Sequence, residues 1–326
     1  MFYDTFSGTG SVFAYDYAAT SPLNLTLQSP GGNVGIGTAV PGSKLTVAGR
    51  IESTSGGVKF PDGTTQLTAL SAVKAKNTLV VSPTGGDFTT ITAALASITD
   101  NTASNRYVIY VGPGTYTEQF TMKQFVDIQG AGELATTITG VGNVSSQTGT
   151  LLGASNAEMR FLTVENTGGN LYAVAIFNNA AAPRLSHITA NAFGGGNLSA
   201  GVLSNASSPT MNNVTASATG STPGTVNAGL YNSDSSPTIS NSVISASGGG
   251  VNWGIRNSGS APGSYTVLVN HSRIVATTST ISNDNLFATR IGASQLSGGP
   301  VSALFGTMTC AGVYDEAYVF FASTCP

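Results

Sequence analysis

The feature of this chain that most restricts its fold is a degenerate phrase in its second half, an apolar run ending in Asn, then a turn, a Pro and a further apolar run, returning about every 22–28 residues. It reads Ala173 to Asn179 before Pro183, Ala200 to Asn205 before Pro209, Ala228 to Asn232 before Pro237, and Trp253 to Asn257 before Pro262. A repeat of this length is one supersecondary unit that cannot bury its own apolar face, so its copies must stack into a solenoid. Function then has to be carried on the outside of the stack.

The composition agrees with a stack of short strands. Only 8% of the 326 residues are Asp, Glu, Lys or Arg, against roughly 25% in ordinary soluble proteins. Polarity comes instead from Ser, Thr and Asn, beside 41 Gly and 13 Pro. Thr tolerates strands while Gly and Asn supply turn conformations, and long helices are disfavoured. The net charge of −3 and the absence of a Lys/Arg cluster exclude a nucleic-acid partner. No apolar run approaches the ~18 residues of a membrane span, so no membrane insertion is expected. The residues after Met1 lack the charged and apolar regions of a signal peptide. The expectation is either a mature chain whose export signal was removed or a protein released without one.

From about Met159 the coils can be laid in register. Phe161, Leu185, Met211, Ile239, Val269 and Ile291 are expected in one apolar column, and Ile176, Val202, Leu230 and Ile255 in another. Between them runs a polar column of Thr163, His187, Asn213, Asn241 and His271. Successive coils lie about 4.8 Å apart, so about eight of them make a stack on the order of 40 Å long. The asparagines near each turn tolerate left-handed backbone and can bond adjacent coils, which explains them without a ligand.

Ahead of the coils, Asp87 to Ile98 spaces Phe88, Ile91, Leu95 and Ile98 on one helical face and predicts an amphipathic helix. An open solenoid end exposes core and strand edges, and such a helix is a natural plug. Strands are expected at Tyr107–Val111, Gln119–Met122 and Phe125–Gln129, with a turn over Gly112–Thr115. The segment from Gly86 to Gly140 resembles the opening of the pectin methylesterases within the pectate-lyase-like β-helices. The resemblance rests on Gly86-Asp-Phe-Thr-Thr-Ile91, on Tyr107-Val-Ile-Tyr-Val-Gly-Pro-Gly-Thr-Tyr-Thr-Glu118 and on Ile128-Gln-Gly-Ala-Gly132. It implies an all-β, right-handed, single-stranded parallel β-helix with an N-terminal capping helix.

Residues 1–75 do not share the repeat. Gly31-Gly-Asn-Val-Gly-Ile-Gly37, Lys44-Leu-Thr-Val-Ala-Gly49 and Gly56-Gly-Val-Lys-Phe-Pro-Asp-Gly63 give short strands punctuated by glycines. This stretch resembles the shaft and neck segments of phage tail fibres and bacterial surface fibres, in which three chains intertwine; the resemblance implies a homotrimer. Leu67, Leu70 and Val73 form a brief seam compatible with that. The expected organisation is a shaft or neck over 1–75, a β-helix over 76–305 and a C-terminal cap over 306–326.

Cys310 and Cys325 are the two cysteines. A disulfide between them would contribute on the order of 3 kcal/mol and favour an extracellular location; two free thiols are the alternative. Their spacing fits no zinc motif, and neither a metal nor a cofactor is expected. Tyr314, Tyr318, Phe320 and Phe321 are expected to cap the distal end or to bury against partner chains.

The coils offer few groups for chemistry. Glycoside hydrolysis needs paired carboxyl groups about 5–5.5 Å or about 6.5–9.5 Å apart. Between Glu165 and Asp315 the only carboxylates are Asp234 and Asp284, which the register puts two coils apart, so they are weak catalytic candidates unless a site forms between chains. The methylesterase phrase Gln-Ala-Val-Ala appears here as Tyr172-Ala-Val-Ala175, and the family's aspartates and arginine have no counterpart, which speaks against a pectin methylesterase. Lyase chemistry would need an acid cluster that the coils lack. Arg160 and Arg184 are expected to share a column and could grip an anionic sugar. His187 and His271 lie several coils apart and read as stacking residues.

Among the aromatics along the coils, Phe177 and Tyr265 included, Tyr172, Tyr231 and above all Trp253 are the candidate glycan contacts. Trp253 stands where neighbouring coils carry Ala200 and Ala228. The expected function is therefore a non-enzymatic, homotrimeric fibre or spike, on a phage virion or bacterial surface, whose β-helix binds a cell-surface glycan or receptor. The alternatives are a polysaccharide depolymerase, lyase or hydrolase, with an inter-subunit site, and a ligand-free filament subunit.

Overall fold

What the chain builds from its repeat is a stack of parallel strands, each paired with its counterpart one coil on. The computed structural model describes residues 31–53, 77–145, 147–220, 224–303 and 306–326, with shorter pieces between residues 2 and 66. The expected seam of Leu67, Leu70 and Val73 lies outside the described residues. The chain divides into two units, Met1–Val73 and Lys74–Pro326. In the first, Val34–Ile36 pairs in parallel with Leu45–Val47, and Val58–Lys59 pairs antiparallel with Thr65–Gln66.

The second unit is a parallel β-helix, and continuous apolar columns hold it together. One runs Leu79, Ile109, Ile128, Met159, Leu185, Met211, Ile239, Val269, Ile291 and Cys310, each residue directly opposite the next. A second runs Phe120, Leu151, Ile176, Val202, Leu230, Ile255, Ile281 and Val301 along an eight-stranded parallel sheet. Most of these side chains are fully buried, and each buried aliphatic residue contributes roughly 1.5–3 kcal/mol.

Coils turn corners at single residues in left-handed backbone. Phe161 (φ 57°), His187 (53°), Asn213 (53°), Asn241 (51°), His271 (47°) and Ala293 (44°) form one such column. Here the expected register fails by two residues. Met159, not Phe161, lies opposite Leu185 in the core column. Phe161 instead occupies the corner, partly exposed, with its ring 4.8 Å from that of His187. Thr163, expected beside His187, pairs with Thr189. The same shift separates Arg160 from Arg184, which lie opposite Ser186 and Glu158 respectively. Hydrophobicity alone cannot tell an aromatic that stacks at a bend from one that fills the core. His187 is further held by Ser186 Oγ at 3.0 Å and Asn213 Nδ2 at 3.2 Å.

The asparagines of the repeat also differ in detail from expectation. Asn178, Ser204, Asn232, Asn257 and Asn283 stack inside the solenoid, fully buried, rather than adopting the left-handed turn themselves. Asn232 Nδ2 donates to Asn257 Oδ1 at 2.8 Å, and Asn257 Nδ2 donates to Asn283 Oδ1 at 2.6 Å and to Thr289 Oγ1 at 3.1 Å. The left-handed positions fall just beyond, at Ala180, Ala206 and Asp234. Asp234 locks the next coil's turn: its carboxylate accepts from Ser260 N at 2.9 Å, Ser260 Oγ at 3.0 Å and Ala261 N at 3.1 Å. Partial burial pushes this carboxyl up, but the hydrogen bonds from Ser260, Ala261 and the Tyr265 hydroxyl outweigh it and hold it below the ordinary carboxylate range.

At the N-terminal end the helix spans Ile91–Ser97. It starts later than predicted because Phe88 makes a parallel bridge to Val81 and Thr90 caps the helix by accepting from Ala93 N. Ile91, Leu95 and Ile98 are buried over the first coil. Glu118, from the motif that carries the resemblance, accepts from Ile91 N and Thr92 N at 2.8 and 2.9 Å. At the other end the ladder continues through Thr307–Ala311, paired with Phe287–Gly292, so the coils run past residue 305. The cap proper is the antiparallel pair Val313–Tyr314 and Phe320–Phe321. A disulfide joins Cys325 to Cys310, the last member of the first core column. Tyr318 and Phe320 are exposed, whereas Phe321 packs on the core.

Two outcomes follow from this scaffold. Asn257→Ala strands a buried amide on Asn232 and removes one of the two hydrogen bonds accepted by Asn283 Oδ1, so unfolding free energy should fall by about 2–4 kcal/mol; a loss under about 0.5 kcal/mol in chemical denaturation would show that the ladder does not stabilise the stack. Because Asp234 has a depressed pKa, its contribution is present above the ordinary carboxylate range and lost as pH falls through its folded value. Asp234→Asn should therefore destabilise the protein at neutral pH, and the gap between the two melting temperatures should close on acidification. A gap independent of pH would contradict this.

Candidate functional site

The eight-stranded sheet has one face in the core and one outside, and the outer face is where the chain departs most from a plain solenoid. Its central strands are Tyr172–Asn179, Leu198–Asn205, Val226–Ser233 and Val251–Ser258. Register sets three outward columns: Tyr172, Leu198, Val226 and Val251; Val174, Ala200, Ala228 and Trp253; Phe177, Leu203, Tyr231 and Arg256. Val174, Phe177, Leu198, Ala200 and Leu203 form an apolar cluster separate from the interior core, with Tyr172, Val226 and Tyr231 packed against it. The Ala-Gly step of the repeat has its own cause. A Cβ on Gly201 or Gly229 would meet Ser217 N or Ser245 N of the opposite strands at 2.8 Å, so only glycine permits that approach.

These columns enclose a groove of about 450 Å³. Tyr172, Tyr231, Trp253 and Arg256 form its walls, Leu198, Leu203 and Val226 its apolar floor, and Gln147, Asn197, Asn205 and Ser233 its polar rim. Where Ala200 and Ala228 leave space, Trp253 raises an indole at one end. The Arg256 guanidinium carbon lies 5.0 Å from the centroid of that ring. Its Nη2 sits 2.7 Å from Asp284 Oδ1, and its Nη1 donates to Asn257 O at 3.2 Å and Ser282 Oγ at 3.1 Å. Arg256 is thereby fixed over the indole and couples it to a partly exposed carboxylate. Aromatic faces over an apolar floor with an amide rim are what sugar rings need for stacking and hydrogen bonding.

The structure brings together three of the expected glycan contacts, Tyr172, Tyr231 and Trp253, and leaves the other two elsewhere. Arg160 and Arg184 lie on strands of the other sheet, where Arg160 Nη1 pairs with Glu158 at 3.0 Å and its Nε donates to Gln129 Oε1 at 3.0 Å. The two candidate carboxylates part company. Asp234 is committed to the turn at Ser260 and Ala261, while Asp284 reaches the groove through Arg256. Phe177, buried within the outer apolar cluster, also lines the groove, and Tyr265 packs on Phe287 with ring centroids 5.1 Å apart. Arg256 is not among the residues expected from the sequence; it stands as a charged residue in a column that runs Leu152, Phe177, Leu203 and Tyr231 before it and Ser282 after it. Among the described residues no group of three or more His, Cys, Asp or Glu side chains is placed to hold a metal, and no helix is long and apolar enough to cross a membrane.

A model of the pectinesterase family matches residues 77–194, a span that includes the capping helix and the Tyr172–Asn179 wall of the groove. No match is found among curated protein sequences. Among solved structures, the chain is similar to pectin methylesterase from carrot, at 16% identity over 75% of this chain and 83% of that one, with a TM-score of 0.52. It also aligns with the pectin methylesterase PemA from Erwinia chrysanthemi, at 13% identity over 76% and 91% of the two chains and a TM-score of 0.45. The family match overturns the expectation of a non-enzymatic adhesive fibre, and the ligand-free filament with it. That expectation rests on the fibre-like neck, the carboxylate-poor coils and the solenoid, none of which excludes an enzyme; action on a carbohydrate, the polysaccharide-depolymerase alternative, fits better. The fold itself is the parallel β-helix of the carrot enzyme.

Proposed function

We propose that this chain is an extracellular enzyme acting on a polysaccharide, a depolymerase whose substrate lies across the groove of Tyr172, Tyr231 and Trp253. The observation that carries the reading is the coupling of Trp253, Arg256 and Asp284 at one end of that groove, on the sheet that contains the Tyr172-Ala-Val-Ala175 segment of the pectinesterase match. Aromatic faces would hold the sugar rings, and Arg256 would hold both the indole and the carboxylate in place. Asp284 is the carboxylate that approaches the groove, 2.7 Å from Arg256 in its lining. It would assist attack of water at the glycosidic carbon, with the bond to the leaving oxygen breaking and that oxygen taking up a proton. Such hydrolysis uses two carboxyl groups, and the second would come from a neighbouring copy.

The resemblance of residues 29–70 to fibre shafts supports a homotrimer, and the disulfide between Cys310 and Cys325 supports an extracellular setting. A missing glutamine and missing aspartates at the methylesterase positions argue against the same reaction as the carrot enzyme.

The test is cleavage of a panel of neutral and acidic polysaccharides, read as new reducing ends and, for elimination, as unsaturated products. Asp284→Asn should lower turnover on the cleaved polymer by about 100-fold or more, and Trp253→Ala should act chiefly by raising KM. No cleavage of any polymer by the full chain would reject the enzyme. Light scattering on the same preparation should give the mass of three chains; a monomer would remove the inter-chain carboxylate.

A further inference from the structure

We infer that the groove takes uncharged sugar units and discriminates against polyuronates; this rests on the reading of the groove as a glycan site. Among the described residues, Arg256 is the only charged side chain lining the groove. Its charge is matched by Asp284 at 2.7 Å, and its other nitrogen Nη1 is engaged by Asn257 O and Ser282 Oγ. The remaining polar lining, Asn197, Asn205 and Ser233 among it, is neutral. A polyuronate presents a carboxylate on every ring, and each one entering the groove would lose water without gaining a cation, which is costly. Arg160 and Arg184 offer no relief, because they stand on the other sheet. A neutral sugar has no such penalty. Its C–H face can lie on Trp253 or Tyr231 while its hydroxyls reach the amide rim. A substrate without a uronate carboxyl also has no acidic α-hydrogen for elimination, so cleavage would be hydrolytic, consuming one water per bond.

The protein has one tryptophan, and it is Trp253, so its emission reports on this groove independently of turnover. Native protein should be titrated with hexamers of β-linked glucose, of β-linked xylose and of N-acetylglucosamine, and with hexagalacturonate, each at low and high salt. At least one neutral hexamer should shift the emission saturably with an affinity that salt leaves unchanged, and hexagalacturonate should bind at least about tenfold more weakly. Asp284→Asn unmasks the guanidinium, so it should raise hexagalacturonate affinity about five- to tenfold, and this gain should fade with salt. Tighter, salt-sensitive binding of hexagalacturonate to the native chain would overturn the inference, as would silence of Trp253 toward every neutral hexamer. An Asp284→Asn chain as indifferent to hexagalacturonate as its parent would contradict the charge matching. Cleavage of a polyuronate would sink this inference and leave the depolymerase standing; neutral binding with no cleavage of any polymer would do the reverse.

Discussion

Register between coils is the constraint on which everything else in the second unit depends. Each coil must deliver its apolar side chains at the level set by the coil before it, because a parallel stack has no other way to close a core. The column from Leu79 to Cys310 shows the rule kept through the whole unit, and the disulfide fastens the chain end to its last member. Corners obey the same rule. Bends recur at equivalent residues, and left-handed backbone is accepted there by Phe161 and Ala293 as well as by Asn213 and Asn241, because the stacked coils on either side fix the path. Buried asparagines carry register in a second way, through side-chain hydrogen bonds that only an aligned neighbour can complete.

A fixed interior leaves the outer columns free to vary, and the groove is made from that freedom. Ala200 and Ala228 keep one outward column low, and Trp253 then stands above it as a wall. One column over, Leu203 and Tyr231 give way to Arg256, whose contacts with Trp253 and Asp284 tie two adjacent coils together. The proposed recognition surface therefore consists of substitutions within the outward columns of a regular stack. Loops that fasten the turns use carboxylates differently: Asp234 is consumed in holding Ser260 and Ala261, which explains why two acids of similar position in the repeat have different surroundings.

Much of this was legible in the residues. The repeat length demanded a solenoid, the column of Ile176, Val202, Leu230 and Ile255 could be aligned by its spacing, and Trp253 was visible as a misfit among alanines. Phe161 cannot be placed from sequence because bend and core are equally apolar there, and a two-residue slip at that position brings Arg160 and Arg184 into a false column. Arg256 was overlooked because its meaning lies in partners from the next coil, Asp284 and Ser282, which only the register supplies. The functional reading erred for a related reason. Between Glu165 and Asp315 the coils carry only two carboxylates, Asp234 and Asp284, which reads as a surface without catalysis, whereas the groove of outward columns emerges only once the register is known.

The most direct test of the central claim, that a polysaccharide lies across the outer face of the eight-stranded sheet, is a crystal structure of the chain with a bound oligosaccharide. The account predicts a sugar ring stacked on Trp253, with the chain of sugars crossing Tyr231 toward Tyr172. Sugar bound instead along the corner column of Phe161 and His187, with the groove empty, would contradict it.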